Sequence, residues 1–296
     1  MIEYFMAGHK DTRVMRAIFG AMATTPQDPV VRSEQMGLLP RTKRNIRMQY
    51  RLAQHTLIPW LEKLRVLPDH AAVCEIGCAE GGVLAAFADQ GASYSLGTDI
   101  QEPLLRIVST PVWSELGYNI TFTQHDVIYD EIPTAWQHRF DVVLLRDVIE
   151  HLDDPGIALQ NIARIMKPGG VVVVTFPPYT SPFGGHQQLL GTKLGALPFV
   201  HLLPWSIFCA MVRRGDPVNQ EEVERLHTIR CSAHKVTQAA TRAGMTILDQ
   251  RYFGLRPVFQ WKYQRPIPSF EIGSLALLPG IKAIAMEAAF VLQLPR

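Results

Sequence analysis

The sequence predicts an α/β fold in which a mostly parallel sheet carries helices on both faces. From about Ala71 to Phe176, short apolar runs alternate with helical patterns, the arrangement that right-handed crossovers between parallel strands produce. The first run, Val73-Cys-Glu-Ile76, enters a glycine loop, Gly77-Cys-Ala-Glu-Gly-Gly82. Later runs end in acids, at Asp99 and near Asp126. Ligands of such sheets gather outside the carboxyl ends of the strands, so these tips are the candidate site.

Each element follows in order. Met1 to Pro40 is irregular, whereas Lys43 to Leu67 has apolar residues at helical spacing, interrupted by Pro59, and predicts helices covering the site. The glycine loop lets a ligand approach the backbone, and a helix from Gly82 to about Ala88 offers it free N–H groups. Any nucleotide suits that arrangement. Glu75 and Glu80 narrow it, because they repel a pyrophosphate and favour a ligand with ammonium and sulfonium groups, as S-adenosylmethionine has. Tyr94 to Asp99 is a second strand, and Asp99 lies where a carboxylate accepts both ribose hydroxyls. Ile120 to Thr123 is β-prone and precedes Gln124-His-Asp126-Val127, where Asp126 can accept from an adenine amino group. Phe140 to Arg146 is an apolar strand leading into Asp147-Val-Ile-Glu150-His151. A helix follows, then Met166-Lys-Pro-Gly-Gly170 and a fifth strand, Val171 to Phe176.

Across residues 55–176 this order resembles the class I S-adenosylmethionine-dependent methyltransferases, especially the small-molecule branch with the ubiquinone-biosynthesis O-methyltransferases. Their loop is acid-x-Gly-x-Gly-x-Gly; here Ala79 replaces the middle glycine. The resemblance implies a Rossmann-like sheet of seven strands, ending in a helix at Ser232 to Ala243 and a strand from Thr246 to Phe253. It also implies that Glu75, Gly77, Cys78 and Gly81 line the methionine end of the donor, with Arg146 contacting it through its backbone. Asp99 and Ile100 would hold ribose and adenine, and Asp126 and Val127 the adenine.

His151, just after strand four, is the first candidate general base, and His186 the second. Asp147, Glu150 and His151 stand at i, i+3 and i+4, so on a helix they would share a face able to hold a divalent cation. The same branch has a similar acid-x-x-Glu-His segment linked to metal, with Asp147 here in place of a Glu. The ordinary base or structural role is the main expectation, and metal the alternative. His125 reads as packing near adenine.

The expected organisation is an N-terminal helical cover (residues 1–70), a donor-binding core (71–176), an acceptor-site lid (177–230) and a completing segment with an apolar tail (231–296). Leu194 to Val212 has no formal charge for nineteen residues, yet Gly195, Pro198, His201 and Pro204 predict broken helices lining an apolar acceptor pocket. Arg213 and Arg214, with a second apolar stretch from Ile272 to Leu294, keep shallow membrane contact as an alternative. The acceptor is expected to be a hydrophobic or aromatic small molecule methylated on oxygen, nitrogen or carbon. An NAD(P)-dependent oxidoreductase, suggested by Gly77-x-Ala79-x-x-Gly82, and a non-catalytic nucleotide-binding scaffold are the alternatives.

At 296 residues and 47% hydrophobic, the chain can bury a large core. A net charge of +2 gives no broad basic field for nucleic acid, and strand four lacks the Asn/Asp-Pro-Pro-aromatic tetrad of amino-base enzymes. Five cations between Arg41 and Arg51 read as a solvated helix face, or as a group closing over the donor carboxylate or an anionic surface. The four cysteines lack metal or disulfide spacing. Met1 to Lys10, interrupted by Glu3 and His9, lacks a secretory pattern, so a cytoplasmic location is expected.

Overall fold

In the computed structural model, residues 28–263, 267–273 and 280–296 are described. The expected lack of a secretory pattern and most of the irregular segment before Pro40 fall at residues 1–27, outside the described residues.

Helix α1 (Pro29–Gln35) is capped by Asp28, whose Oδ1 accepts from the Val30 amide at 2.9 Å. Helix α2 (Pro40–Leu52) passes through a π-helical turn (Ala53–Leu57) into α3 (Ile58–Lys63). Pro59, expected to interrupt the helix, falls in the first turn of α3, where the widened turn accommodates its missing N–H. The sheet then begins with β1 (Ala72–Ile76), α4 (Gly82–Asp89) and β2 (Tyr94–Asp99). A short helical run follows, α5 (Glu102–Leu104), a π-helical turn (Leu105–Ser109) and α6 (Thr110–Glu115), before β3 (Thr121–Gln124). Next come β4 (Phe140–Arg146), α7 (Pro155–Ile165) and β5 (Met166–Phe176). After the insertion, with α8 (Trp205–Val212) and α9 (Pro217–Ile229), the chain forms α10 (Ala233–Arg242) and β6 (Thr246–Leu255). Helix α11 (Phe259–Lys262), β7 (Phe270–Glu271) and β8 (Glu287–Gln293) close the fold.

The strands lie in the order β3-β2-β1-β4-β5-β8-β6-β7. β3 through β5 are parallel, and β8 runs antiparallel between β5 and β6. Among the described residues the sheet has eight strands where seven were expected, because β7 adds a two-residue edge to β6. Strand order reverses between β1 and β4, which opens a crevice at their carboxyl ends.

Alternation along the strands builds two apolar layers. Val73, Val142, Leu144, Val173 and Val291 face α2 and α4, while Cys74, Val143, Leu145, Val172 and Phe290 face α7 and α10. The central strands are therefore apolar on both faces. The apolar stretch over residues 272–294, read above as a tail able to touch a membrane, contains β8, where Glu287 to Leu292 are buried. Its hydrophobicity is that of an interior strand, which corrects part of that reading. In the other apolar stretch, residues 194–212 are broken into a 3₁₀ turn (Val200–Leu202) and α8, as Pro198 and Pro204 dictate. Among the described residues, no helix is long and apolar enough to cross a membrane.

Candidate donor cleft and proton-transfer site

A cleft of about 540 Å³ opens at the strand tips. Ile76, Gly77, Ala79, Asp99, Ile100, Asp126 and Val127 line one end, and Asp147, His151, Glu222 and Arg225 line the other. The loop after β1 turns through left-handed positions at Gly77 (φ +69°), Ala79 (φ +45°) and Gly81 (φ +80°). A Cβ on Gly77 would lie 2.3 Å from Val148 Cγ2, so only glycine fits there. Ala79 holds a strained conformation where the family pattern has glycine. Asp99 pins it: its Oδ2 accepts from the Ala79 amide at 3.0 Å and its Oδ1 from the Gln101 amide at 2.9 Å. Ile100 is 63% exposed beside it, an apolar surface suited to a base. Asp126 accepts from the Ile128 amide at 2.8 Å, so it builds the turn as well as lining the cleft.

Four expected donor residues do not line the cleft. Cys78 is buried, with its Sγ 2.8 Å from where a Cβ on Gly97 would sit, so its side chain belongs to the core and not to a ligand wall. A Cβ on Gly81 would strike Phe122 at 2.6 Å, so this glycine serves packing of the loop. Glu75 and Arg146 are both buried, with Glu75 Oε1 3.5 Å from Arg146 Nη1. Among the described residues, Glu75 Oε2 and Arg146 Nε have no hydrogen-bond partner. Burial pushes the Glu75 carboxyl up to about 8, against the opposing pull of Arg146. An unpartnered buried oxygen beside the glycine loop fits the ammonium of a bound donor, and the acid at Asp99 fits its ribose.

Glu80 has a different role from the one expected. Asn45 Nδ2 and Gln49 Nε2 donate to its carboxylate at 2.7 and 2.9 Å, and Gln49 Oε1 accepts from the Gly82 amide at 2.9 Å. Helix α2 thus clamps the loop and caps α4. Of the nearby cations, Arg47 pairs with Glu34 at 2.5 Å and Arg51 with Asp28, so these two serve the cover's own packing.

At the other end, the chain does not form the helix that would align Asp147, Glu150 and His151. Asp147 has φ +54°, and only a single 3₁₀ turn (Ile149–His151) follows. Asp147 instead pairs with Arg256, which also donates to Glu287 Oε2 at 2.7 Å. Glu150 is buried, neither oxygen has a hydrogen-bond partner among the described residues, and burial, then Asp147, pushes it up to about 8. His151 and His186 meet with ring centroids 5.0 Å apart. Burial and the neighbouring His151 push His186 down to about 4, so it is neutral. Burial alone would lower His151, but the carboxylates of Glu222 and Glu150 outweigh it and hold its proton affinity up.

The expected cation set does not fit, because Asp147 is neutralised by a guanidinium. Ligating atoms of Glu150, His151 and His186 do lie within 4.8 Å of one another. Of these, His151 already uses its Nδ1 on Glu222, and the carboxylate of Asp147 and the guanidinium of Arg256 bear on His186 with opposite sign.

Glu222, Arg225 and Arg256 escaped sequence reading. Glu222 and Arg225 stand at i, i+3 on α9 and look like a solvated charged face, and Arg256 meets Asp147 across 109 positions of chain.

Residues 46–249 match the family model for a methyltransferase domain. The ubiquinone biosynthesis O-methyltransferase of Coxiella burnetii (strain Dugway 5J108-111) is 32% identical over 132 residues, 45% of this chain and 52% of that protein. The chain spans about half the length of the curated relatives it matches. A solved S-adenosylmethionine-dependent methyltransferase from Clostridium acetobutylicum aligns over 83% of this chain and 92% of its own, at 9% identity and TM-score 0.52. The magnesium protoporphyrin IX methyltransferase of Synechocystis PCC 6803, solved with bound SAH, aligns over 96% and 99% at 16% identity and TM-score 0.50. At such identities the structural likeness speaks for the fold. Fold and family match together define the class: a methyltransferase domain with the fold of the class I S-adenosylmethionine-dependent methyltransferases. The chain belongs to the methyltransferase domain family.

Proposed function

We propose that this protein moves a methyl group from S-adenosylmethionine to an oxygen, nitrogen or carbon of a hydrophobic or aromatic small molecule. The observation that carries this reading is a single cleft with Asp99 at one end and His151 at the other. S-adenosylmethionine supplies a methyl group on a sulfonium that is its own leaving group. The chain's part is to bind, orient and exclude water, which accounts for several kcal/mol of barrier when the acceptor is held about 3 Å from the methyl carbon. Gly77 and Ala79 of the glycine loop would hold the methionine portion, with Glu75 and Arg146 buried behind them to set the charge it meets, Asp99 the ribose, and Ile100, Asp126 and Val127 the adenine. His151 would receive the acceptor's proton, with neutral His186 beside it.

Residues 177–230 would act as the acceptor lid. A dinucleotide reading is disfavoured by the acids around the loop, which repel a pyrophosphate. Incubation with methyl-labelled donor and a cell extract tests the proposal: label should enter an apolar small-molecule fraction, and His151→Gln should lower it about a hundredfold. Donor binding with no labelled product from any extract would favour a binding scaffold instead.

Shallow membrane contact is a second reading, favoured by one observation. Leu189, Leu194, Leu197, Leu202, Trp205 and Ile207 are each 41–51% exposed, and the sequence holds no acid between Asp154 and Asp216. Sedimentation with anionic vesicles should carry the protein down, and Trp205→Ser with Ile207→Ser should release it.

A further inference from the structure

We propose that Glu222, on the lid helix α9, is a positioning residue that fixes the His151 imidazole for proton removal, so that the lid completes the base. The proposal rests on the reading of His151 as the group that receives the acceptor's proton. His151 Nδ1 lies 2.5 Å from Glu222 Oε1. A carboxylate only accepts hydrogen bonds, so this contact places the imidazole hydrogen on Nδ1 and leaves the lone pair on Nε2. Nε2 faces Glu150 Oε1 at 3.8 Å, beyond hydrogen-bond distance, so its lone pair stays free.

The contact is braced on both sides. Arg225 Nε donates to Glu222 Oε2 at 3.0 Å, and Arg225 Nη1 donates to the His151 carbonyl at 2.6 Å and to Asp153 Oδ1 at 3.1 Å. One turn of α9 therefore grips both the ring and the backbone of the turn that carries it. These partners come from opposite sides of the insertion's boundary, 71 to 74 positions apart in the chain. The opposite end of the cleft, with Asp99, the glycine loop and Ile100, is built without α9.

The consequence concerns both step and substrate. As the acceptor oxygen or nitrogen forms its bond to the methyl carbon, the sulfur–carbon electron pair returns to sulfur. The acceptor's proton passes to Nε2. Glu222 keeps its charge throughout, since the hydrogen bond from His151 holds its carboxyl down to about 2, and it stabilises the imidazolium that forms. A base assembled with this care is of use to an acceptor that must lose a proton as it is methylated, a hydroxyl above all. The groups facing His151 are Glu150 on its own turn, His186 from the insertion, and Glu222 and Arg225 from α9; Asp147 and Arg256 bear on the neighbouring His186.

The test uses full-length protein with ¹⁵N-labelled histidine and bound S-adenosylhomocysteine, with His151 assigned by His151→Gln. In the native protein, the Nδ1 proton should resonate far downfield and the ring should hold one tautomer. In Glu222→Gln the downfield signal should be lost, and proton affinity should drop at least about tenfold, because the neutral amide no longer stabilises the imidazolium. Glu222→Asp, which keeps the charge, should retain part of the signal and serves as the comparison if Glu222→Gln does not fold. Methyl incorporation into extract should fall in Glu222→Gln with donor affinity unchanged. An identical tautomer and proton affinity in folded native and variant protein would overturn the proposal. So would a changed His151 with undiminished methyl transfer, which would make the contact structural. Loss of S-adenosylhomocysteine binding in the native protein would instead strike the donor reading.

Discussion

Replacing Asp99 by alanine tests the donor cleft directly. The carboxylate accepts from two amides, Ala79 at 3.0 Å and Gln101 at 2.9 Å. Gln101 is exposed, so water replaces its partner at little cost; the half-buried Ala79 amide is left short of one. Together these losses come to about 1–3 kcal/mol, which lowers the melting temperature by roughly 2–5 °C in a chain of this size. The donor loses more. If Asp99 takes two ribose hydroxyls, about 2.7 kcal/mol of binding goes with it, a hundredfold in affinity. Ligand at a hundred times its dissociation constant stabilises the native protein by about 2.7 kcal/mol; the same concentration would stabilise the variant by only about 0.4 kcal/mol. Thermal melts with and without S-adenosylhomocysteine read both effects. Equal ligand-induced shifts in the two proteins would refute the reasoning, however far the variant's own melting point had moved.

Three further outcomes are expected. Ala79→Gly removes left-handed strain of roughly 1–2 kcal/mol and adds about 0.5–1 kcal/mol of backbone freedom to the unfolded chain, so the urea midpoint should rise slightly; a fall would contradict the strain at φ +45°. Glu75, raised from its ordinary 4.5 to about 8, is protonated at neutral pH without donor, and the donor's ammonium should expel that proton. Calorimetry in buffers of different ionisation enthalpy should show proton release near pH 7, and donor affinity should climb as pH rises toward 8. In the free protein the sign is fixed by the folded state holding the extra proton: Glu75's contribution is full below pH 4.5 and lost as pH rises through 8. Arg256→Met strips the buried Glu287 of its partner and should cost about 3–5 kcal/mol in chemical denaturation, less at low pH where Glu287 takes up a proton; an unchanged midpoint would show that the pair carries no weight.

The parallel strands and their acid tips were legible because their signals are local. Val142 to Leu145 and Val171 to Val174 are apolar on both faces, and Asp99 sits at a fixed remove from the glycine loop. What stayed hidden depends on backbone direction or distant pairing. Asp147, Glu150 and His151 have helical spacing, but the left-handed turn at Asp147 sends them apart. Residues Ala288 to Leu292 look like a membrane-seeking run until β5 and β6 are seen on either side. Glu222 is a commonplace helix acid until His151 arrives from across the cleft.

The position of β8 shapes how the chain reaches this state on the ribosome. It is made after every other described strand, yet it is the only bridge between β5 and β6 in the sheet. Until Glu287 to Gln293 emerge, a nascent molecule holds two long strands with open hydrogen-bonding margins, the buried, valine-rich β5 and the half-polar β6. Synthesis that stalls before this point leaves a species prone to clumping, and Glu287 to Gln293 act as the zipper that ends its exposure.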